Sequence, residues 1–210
     1  MRHVVLLGDS VFDNGAYAGN GGVIQQLRAL IPATWRASLC AVDGSTTIDV
    51  PIQLDRTPAD ATHLVVSVGG NDALAQTGIL GETADSMARA LSRLADIAGG
   101  FERNYRTMLD TVLDRGLPAA FCTIYYPQFP NPLRQRLAVT ALTVFNDSII
   151  REVVSRGLPL LDLRLICSDP ADYANAVEPS AQGGGKIAAA IHRLIGIHDF
   201  GRHRTEVFAG

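Results

Sequence analysis

Long hydrophobic runs are missing from this chain of 210 residues: no apolar stretch approaches the length needed to cross a bilayer. The first apolar run, His3-Val4-Val5-Leu6-Leu7, is short and leads straight into Gly8-Asp9-Ser10, which argues against a secretory leader. The sequence therefore predicts a cytoplasmic protein with no membrane partner. Cysteine is scarce, at three residues, and none of Cys40, Cys122 and Cys167 forms a CxxC pair. That excludes a disulfide framework and the common cysteine metal sites, leaving reduced thiols, two of them within apolar runs. Positive charge is never clustered. The formal net charge is −3, and the most basic stretch is Arg202-His203-Arg204, too short for a nucleic-acid footprint. Neither G-x-G-x-x-G nor a Walker A lysine pattern occurs, so the glycine-rich loop 15–22 and Gly183-Gly184-Gly185-Lys186 read as loops rather than phosphate cradles. No metal or organic cofactor is implied. Nothing in the sequence fixes an oligomeric state.

What remains is 47% hydrophobic and long enough for one α/β domain with its own core. Strand-like and helix-like segments alternate. Strands are predicted at about 3–8, 35–42, 63–68, 119–125 and 158–163. Helices are predicted at about 23–31, 83–98, 101–114, 133–155 and 184–194, with Gly99-Gly100 separating the second from the third. Arg115-Gly116-Leu117-Pro118 and Arg156-Gly157-Leu158-Pro159 each close a helix before a strand, as glycine and proline do at helix stops. This alternation predicts an α/β fold: a three-layer α/β/α domain around a five-stranded parallel sheet. The expected strand order is flavodoxin-like, 2-1-3-4-5, over residues 1–197, with 198–210 as a loosely held tail.

In that topology three loops meet at the carboxyl edge of the sheet, where open α/β sheets bind ligands. Ser10 follows strand one, Gly44 follows strand two and Asn71 follows strand three. The backbone N–H groups of Ser10 and Gly44 and the amide of Asn71 form a candidate set of donors for an oxyanion. Read singly, each has a structural alternative. Ser10 suits a turn or helix cap, Gly44 a simple turn, and Asn71-Asp72 a helix cap. Asp9 and Asp13 suit hydrogen bonds to loop backbone better than metal ligation. Tyr125, Tyr126, Pro127, Phe129 and Pro130 follow strand four at the same edge. They read equally as an apolar pocket wall or as a self-packed loop.

The blocks Gly8-Asp9-Ser10-Val11-Phe12-Asp13-Asn14-Gly15, Gly44 and Val68-Gly69-Gly70-Asn71-Asp72, in this order, resemble the GDSL or SGNH hydrolases over essentially the whole chain. The resemblance implies a serine nucleophile at Ser10, with Gly44 and Asn71 in the oxyanion hole. It also implies hydrolysis of small acyl esters, thioesters or acetylated sugars without a metal. The family's fourth block reads Asp-x-x-His, often before Pro-Ser. Here that stretch is Asn175-Ala176-Val177-Glu178-Pro179-Ser180, so Asn175 and Glu178 stand where the aspartate and histidine are expected.

Two readings of Glu178 follow. As a base it takes the Ser10 proton, with Asn175 holding the carboxylate. A glutamate's ordinary pKa of about 4.3, against about 6.5 for histidine, then requires burial to raise it. As a solvated loop carboxylate it leaves the fold a silent binding module for a carboxylate, ester or acetylated ligand. No histidine is an obvious substitute. His3 and His63 start strands at the wrong edge and His192 lies deep in the last helix, while His198 and His203 reach the site only if the tail folds back.

Overall fold

The computed structural model describes residues 1–210. Six parallel strands form one sheet: β1 (Arg2–Gly8), β2 (Trp35–Leu39), β3 (His63–Ser67), β4 (Ala119–Cys122), β5 (Leu160–Leu161) and β6 (Val207–Phe208). Their order is β2-β1-β3-β4-β5-β6. The expected flavodoxin-like order is present, with one strand more than the sequence suggested. That strand comes from the segment expected to hang loosely. Val207 and Phe208 pair with Leu160 and Leu161, and Phe208 is buried. A two-residue strand carries too little periodicity to be read from sequence.

Eight α-helices connect and cover the strands: α1 (Gly15–Ala18), α2 (Val23–Leu30), α3 (Val50–Leu54), α4 (Gly70–Ala75), α5 (Met87–Leu113), α6 (Pro132–Ser155), α7 (Leu163–Ile166) and α8 (Ala181–Ile197). Because strand side chains alternate between faces, β1 supplies both halves of the core. Val4 and Leu6 pack with Val23, Ile24 and Leu27 of α2 and Ile187, Ile191 and Leu194 of α8. Val5 and Leu7 pack on the other face with Phe101, Tyr105 and Leu109 of α5 and Phe145, Ile149 and Val153 of α6.

The helical break expected at Gly99-Gly100 does not occur, and α5 runs through it as one 27-residue helix. Two glycines cost roughly 1 kcal/mol each in a helix interior. Burial of Phe101, Tyr105, Met108, Leu109 and Val112 on the same helix outweighs that, at about 1.5–3 kcal/mol for each large apolar side chain. No helix is long and apolar enough to cross a membrane.

The end of β1 decides where the site lies. Gly8 pairs with Ser67 and has φ of +124°, and a Cβ there would sit 1.8 Å from the Ser67 carbonyl oxygen. Only glycine fits this crossing. The chain then leaves the sheet, with the Asp9 N–H donating to Ser67 O at 3.1 Å, and presents Ser10 at the carboxyl edge.

Candidate active site

Gln53 of α3 anchors the turn below Ser10. Its Oε1 accepts from Gly8 N–H at 2.7 Å, and its Nε2 donates to Gly8 O at 2.8 Å and to Ser45 Oγ at 3.1 Å. One buried amide thus satisfies backbone groups that leave the β-ladder and ties them to the loop after β2. Sequence reading did not single out Gln53, because its partners lie far away along the chain. Asp9 and Asp13 bond to loop backbone as expected: Asp9 Oδ1 accepts from Val11 N–H and Asp13 Oδ2 from Asp43 N–H.

Asn71 lies in the first turn of α4. Its Nδ2 donates to Ser45 O at 2.9 Å, which orients the amide and leaves a second N–H on the same nitrogen. Asp72 was expected to cap this helix. It instead accepts from Thr47 N–H and Thr47 Oγ1, tying α4 to the loop after β2. Gly44 sits at the exposed tip of that loop with φ of +81° and open space where a Cβ would point. It belongs to the turn whose Ser45 holds Asn71, but it is not part of the cavity wall.

Glu178 comes from the loop before α8. Several bonds shape that loop: Ala174 N–H donates to Glu178 O, Tyr125 Oη donates to Val177 O, and Asn14 Nδ2 donates to Pro179 O. Asn14 Oδ1 also accepts from Val23 N–H, so this buried residue links the Ser10 loop, α2 and the Glu178 loop. Asn175 does not hold the Glu178 carboxylate, contrary to expectation. Its Oδ1 accepts the backbone N–H groups of Val177 and Glu178, and so shapes the turn instead of the side chain.

The result is a direct contact between two side chains 168 positions apart. Ser10 Oγ donates to Glu178 Oε1 at 3.1 Å, with each residue only 8% exposed. Glu178 Oε2 is buried without a hydrogen-bond donor. Burial raises the Glu178 pKa above its ordinary value; the Ser10 hydroxyl pulls it back down in part, and the nearby Asp43 adds to the rise.

No histidine approaches this pair. His3 bonds to Asp60 and Ser38, and His192 packs edge-on against Trp35. His63 bonds to Thr62 and packs on Phe200. In the tail, His198 pairs with Glu206 at 2.9 Å, and the backbone of His203 lies against Gly157.

Ser10, Asn71 and Glu178 open into a cavity of about 110 Å³. Its wall is mainly apolar, built from Leu74, Ile79 and Leu80 beyond β3, Leu94 and Ile97 of α5, and Ala141, Leu142 and Phe145 of α6. Of the aromatic loop after β4, Tyr125, Pro127 and Phe129 face the cavity, whereas Tyr126 and Pro130 do not. No lysine, arginine or histidine lines it. No group of three or more histidine, cysteine, aspartate or glutamate side chains is arranged to hold a metal.

Solved structures share this architecture. An extracellular lipase from Streptomyces rimosus superposes with a TM-score of 0.67 at 18% identity, covering 93% of this chain and 99% of that one. A lipase/acylhydrolase from Enterococcus faecalis gives 0.66 at 20%, covering 93% and 95%. A carbohydrate acetylesterase from Sinorhizobium meliloti gives 0.63 at 12%, covering 93% and 99%. At these identities the likeness establishes the fold. No curated protein matches the sequence directly. A family-model match spans residues 6–186, from within β1 through the Glu178 loop into α8. With the Gly-Asp-Ser turn, the Asn71 loop and the sheet order in agreement, the chain belongs to the GDSL-like lipase/acylhydrolase family.

Proposed function

We propose that the protein is a serine-dependent hydrolase of small acyl esters in which Glu178 replaces histidine as the base. The observation that carries this reading is the 3.1 Å hydrogen bond from Ser10 Oγ to Glu178 Oε1. It lies within the reach that proton transfer requires.

In the first step Ser10 Oγ attacks the ester carbonyl carbon while its proton passes to Glu178. The carbonyl electron pair moves onto oxygen, where the Ser10 N–H and the free Asn71 amide N–H receive it; the expected third donor, Gly44, lies outside the cavity wall. Collapse breaks the bond to the leaving alkoxide, which takes the proton back from Glu178. Water then attacks the acyl-enzyme by the same route, and Glu178 accepts and returns its proton in turn.

The glutamate base depends on burial. An exposed carboxylate is too weak a base near neutrality, and its acid form is too rare to protonate the leaving group. Desolvation of Glu178 and its partnerless Oε2 both disfavour the anion and so raise basicity. A carboxylate also needs no aspartate to fix a ring tautomer, which accounts for an Asn175 that serves the backbone alone.

The apolar wall suits a hydrocarbon acyl group. Turnover of p-nitrophenyl acetate and butyrate tests the reading. Ser10→Ala is expected to lose at least ~1000-fold in kcat/KM, as removal of a nucleophile does. Equal turnover by Ser10→Ala would remove the serine mechanism.

A further inference from the structure

The catalytic scheme leaves one carboxyl of the cavity wall unused. Asp9 is only 3% exposed, yet it lines the same cavity as Ser10 and Glu178. Its Oδ1 accepts from Val11 N–H at 3.1 Å, while Oδ2 faces the backbone at the start of α4, 3.7 Å from where a Cβ on Gly70 would lie. The ionisable groups around it are all acidic or neutral. They are Glu178 from the loop before α8, Asp72 from α4, Cys122 of β4 and Tyr125 just beyond β4. No cation lines the cavity to stabilise a second negative charge.

From this geometry we infer that Asp9 is a neutral carboxylic acid in the working protein, and that its O–H donates a hydrogen bond to an oxygen of the ester held in the cavity. Two carboxyl groups buried in one site cannot both ionise cheaply. Glu178 ionises first, being the proton acceptor for Ser10, and its charge holds the proton on Asp9. Burial, Glu178 and Asp72 together push Asp9 from an ordinary 3.8 up to about 7, against the opposing Val11 N–H. Asp9 transfers no proton in this role. It donates a hydrogen bond that exists only while it is protonated, as a carboxylic acid in an apolar site can. The substrate class follows: an uncharged ester with a hydrocarbon acyl group, whose oxygens accept hydrogen bonds and which brings no further negative charge.

The inference rests on the ester-hydrolase reading for its substrate, so its test uses binding, which needs no turnover. The probe is 2-decanone, a neutral carbonyl compound without a leaving group, measured by calorimetry on the full chain. Its affinity is expected to fall at least ~10-fold between pH 5.5 and pH 8.5, as Asp9 loses the donor. In Asp9→Asn, whose amide donates at every pH, that fall is expected to vanish. Ester turnover in Asp9→Asn is likewise expected to lose the wild-type decline above neutrality. A fall in ketone affinity unchanged in Asp9→Asn, no such fall in the wild type, or no ketone binding at all overturns the inference. If Asp9→Asn does not fold, carboxyl ¹³C titration of the wild type decides: one aspartate is expected to titrate near neutrality, and none above pH 6 is the contrary result. Ketone binding with the predicted pH dependence but no ester turnover would overturn the hydrolase reading and leave the role of Asp9 standing.

Discussion

Glu178→Gln is expected to lower kcat/KM for a small ester by about 100- to 10,000-fold, the range ascribed to general acid–base catalysis. Glutamine matches glutamate in shape and still offers an oxygen to Ser10 Oγ, so the loop and the 3.1 Å contact need not move. It cannot take a proton. The loss corresponds to about 3–5 kcal/mol of transition-state stabilisation. It is expected mainly in kcat, because the cavity wall that binds the acyl group is untouched. Glu178 also fixes the pH dependence. Its raised pKa means that the base form, and hence activity, appears at a higher pH than an exposed glutamate would give. The acid limb of the wild-type profile is therefore expected above the ordinary carboxylate range. In Glu178→Gln the residual activity is expected to lack that limb. Steady-state kinetics from pH 4 to pH 9 on both proteins checks both statements. A wild-type limb that persists in Glu178→Gln would assign the base elsewhere.

Asp9→Asn is expected to be more stable than the wild type at pH 8, by up to about 4 kcal/mol, and to show little of that gain at pH 3. Asp9 holds its proton more tightly folded, to about 7, than unfolded, at an ordinary 3.8. Its contribution to stability is fully present below the unfolded value. It is lost as the pH rises from there through about 7, because the folded state then buries a charge that the unfolded state hydrates. Asparagine removes the charge and keeps an oxygen for Val11 N–H. The figure is an upper bound, since the site relaxes around a charge. Urea unfolding of both proteins at the two pH values measures it. A difference between the proteins that does not change with pH would show that Asp9 ionises without penalty. The stability cost and the proposed hydrogen-bond donor have one origin, a carboxyl buried beside other acids with no cation in the cavity wall.

Much of this molecule was legible from local pattern. Short apolar runs followed by Gly8-Asp9-Ser10, Asp43-Gly44-Ser45 and Gly69-Gly70-Asn71 mark strand ends, and the sheet order follows from the alternation with helices. What escaped depends on contacts distant in sequence. Gly99-Gly100 looks like a break because its propensity is local, whereas the packing of Phe101 and Tyr105 that overrides it is not. Asp72 looks like a cap until Thr47 is brought beside it by the loop after β2. Val207 and Phe208 become a strand only because β5 offers a free edge. The candidate site divides the same way. Ser10, Asn71 and Glu178 stand out by motif position, and they share one cavity. Asn175 does not reach the Glu178 carboxylate because a short side chain in a tight turn bonds its own backbone first. The apolar wall was only partly visible, since Leu94, Ile97, Ala141 and Leu142 come from helices whose relative placement no local pattern specifies.

The rate at which a fluorophosphonate labels Ser10 tests most directly whether Glu178 activates it. The wild type is expected to label stoichiometrically at Ser10. The rate should rise with pH as Glu178 ionises and decline above neutrality as Asp9 loses its proton, and at its maximum Glu178→Gln should label at least ~100-fold more slowly. Absence of labelling between pH 4 and pH 9, or equal rates in the wild type and Glu178→Gln, would contradict the account.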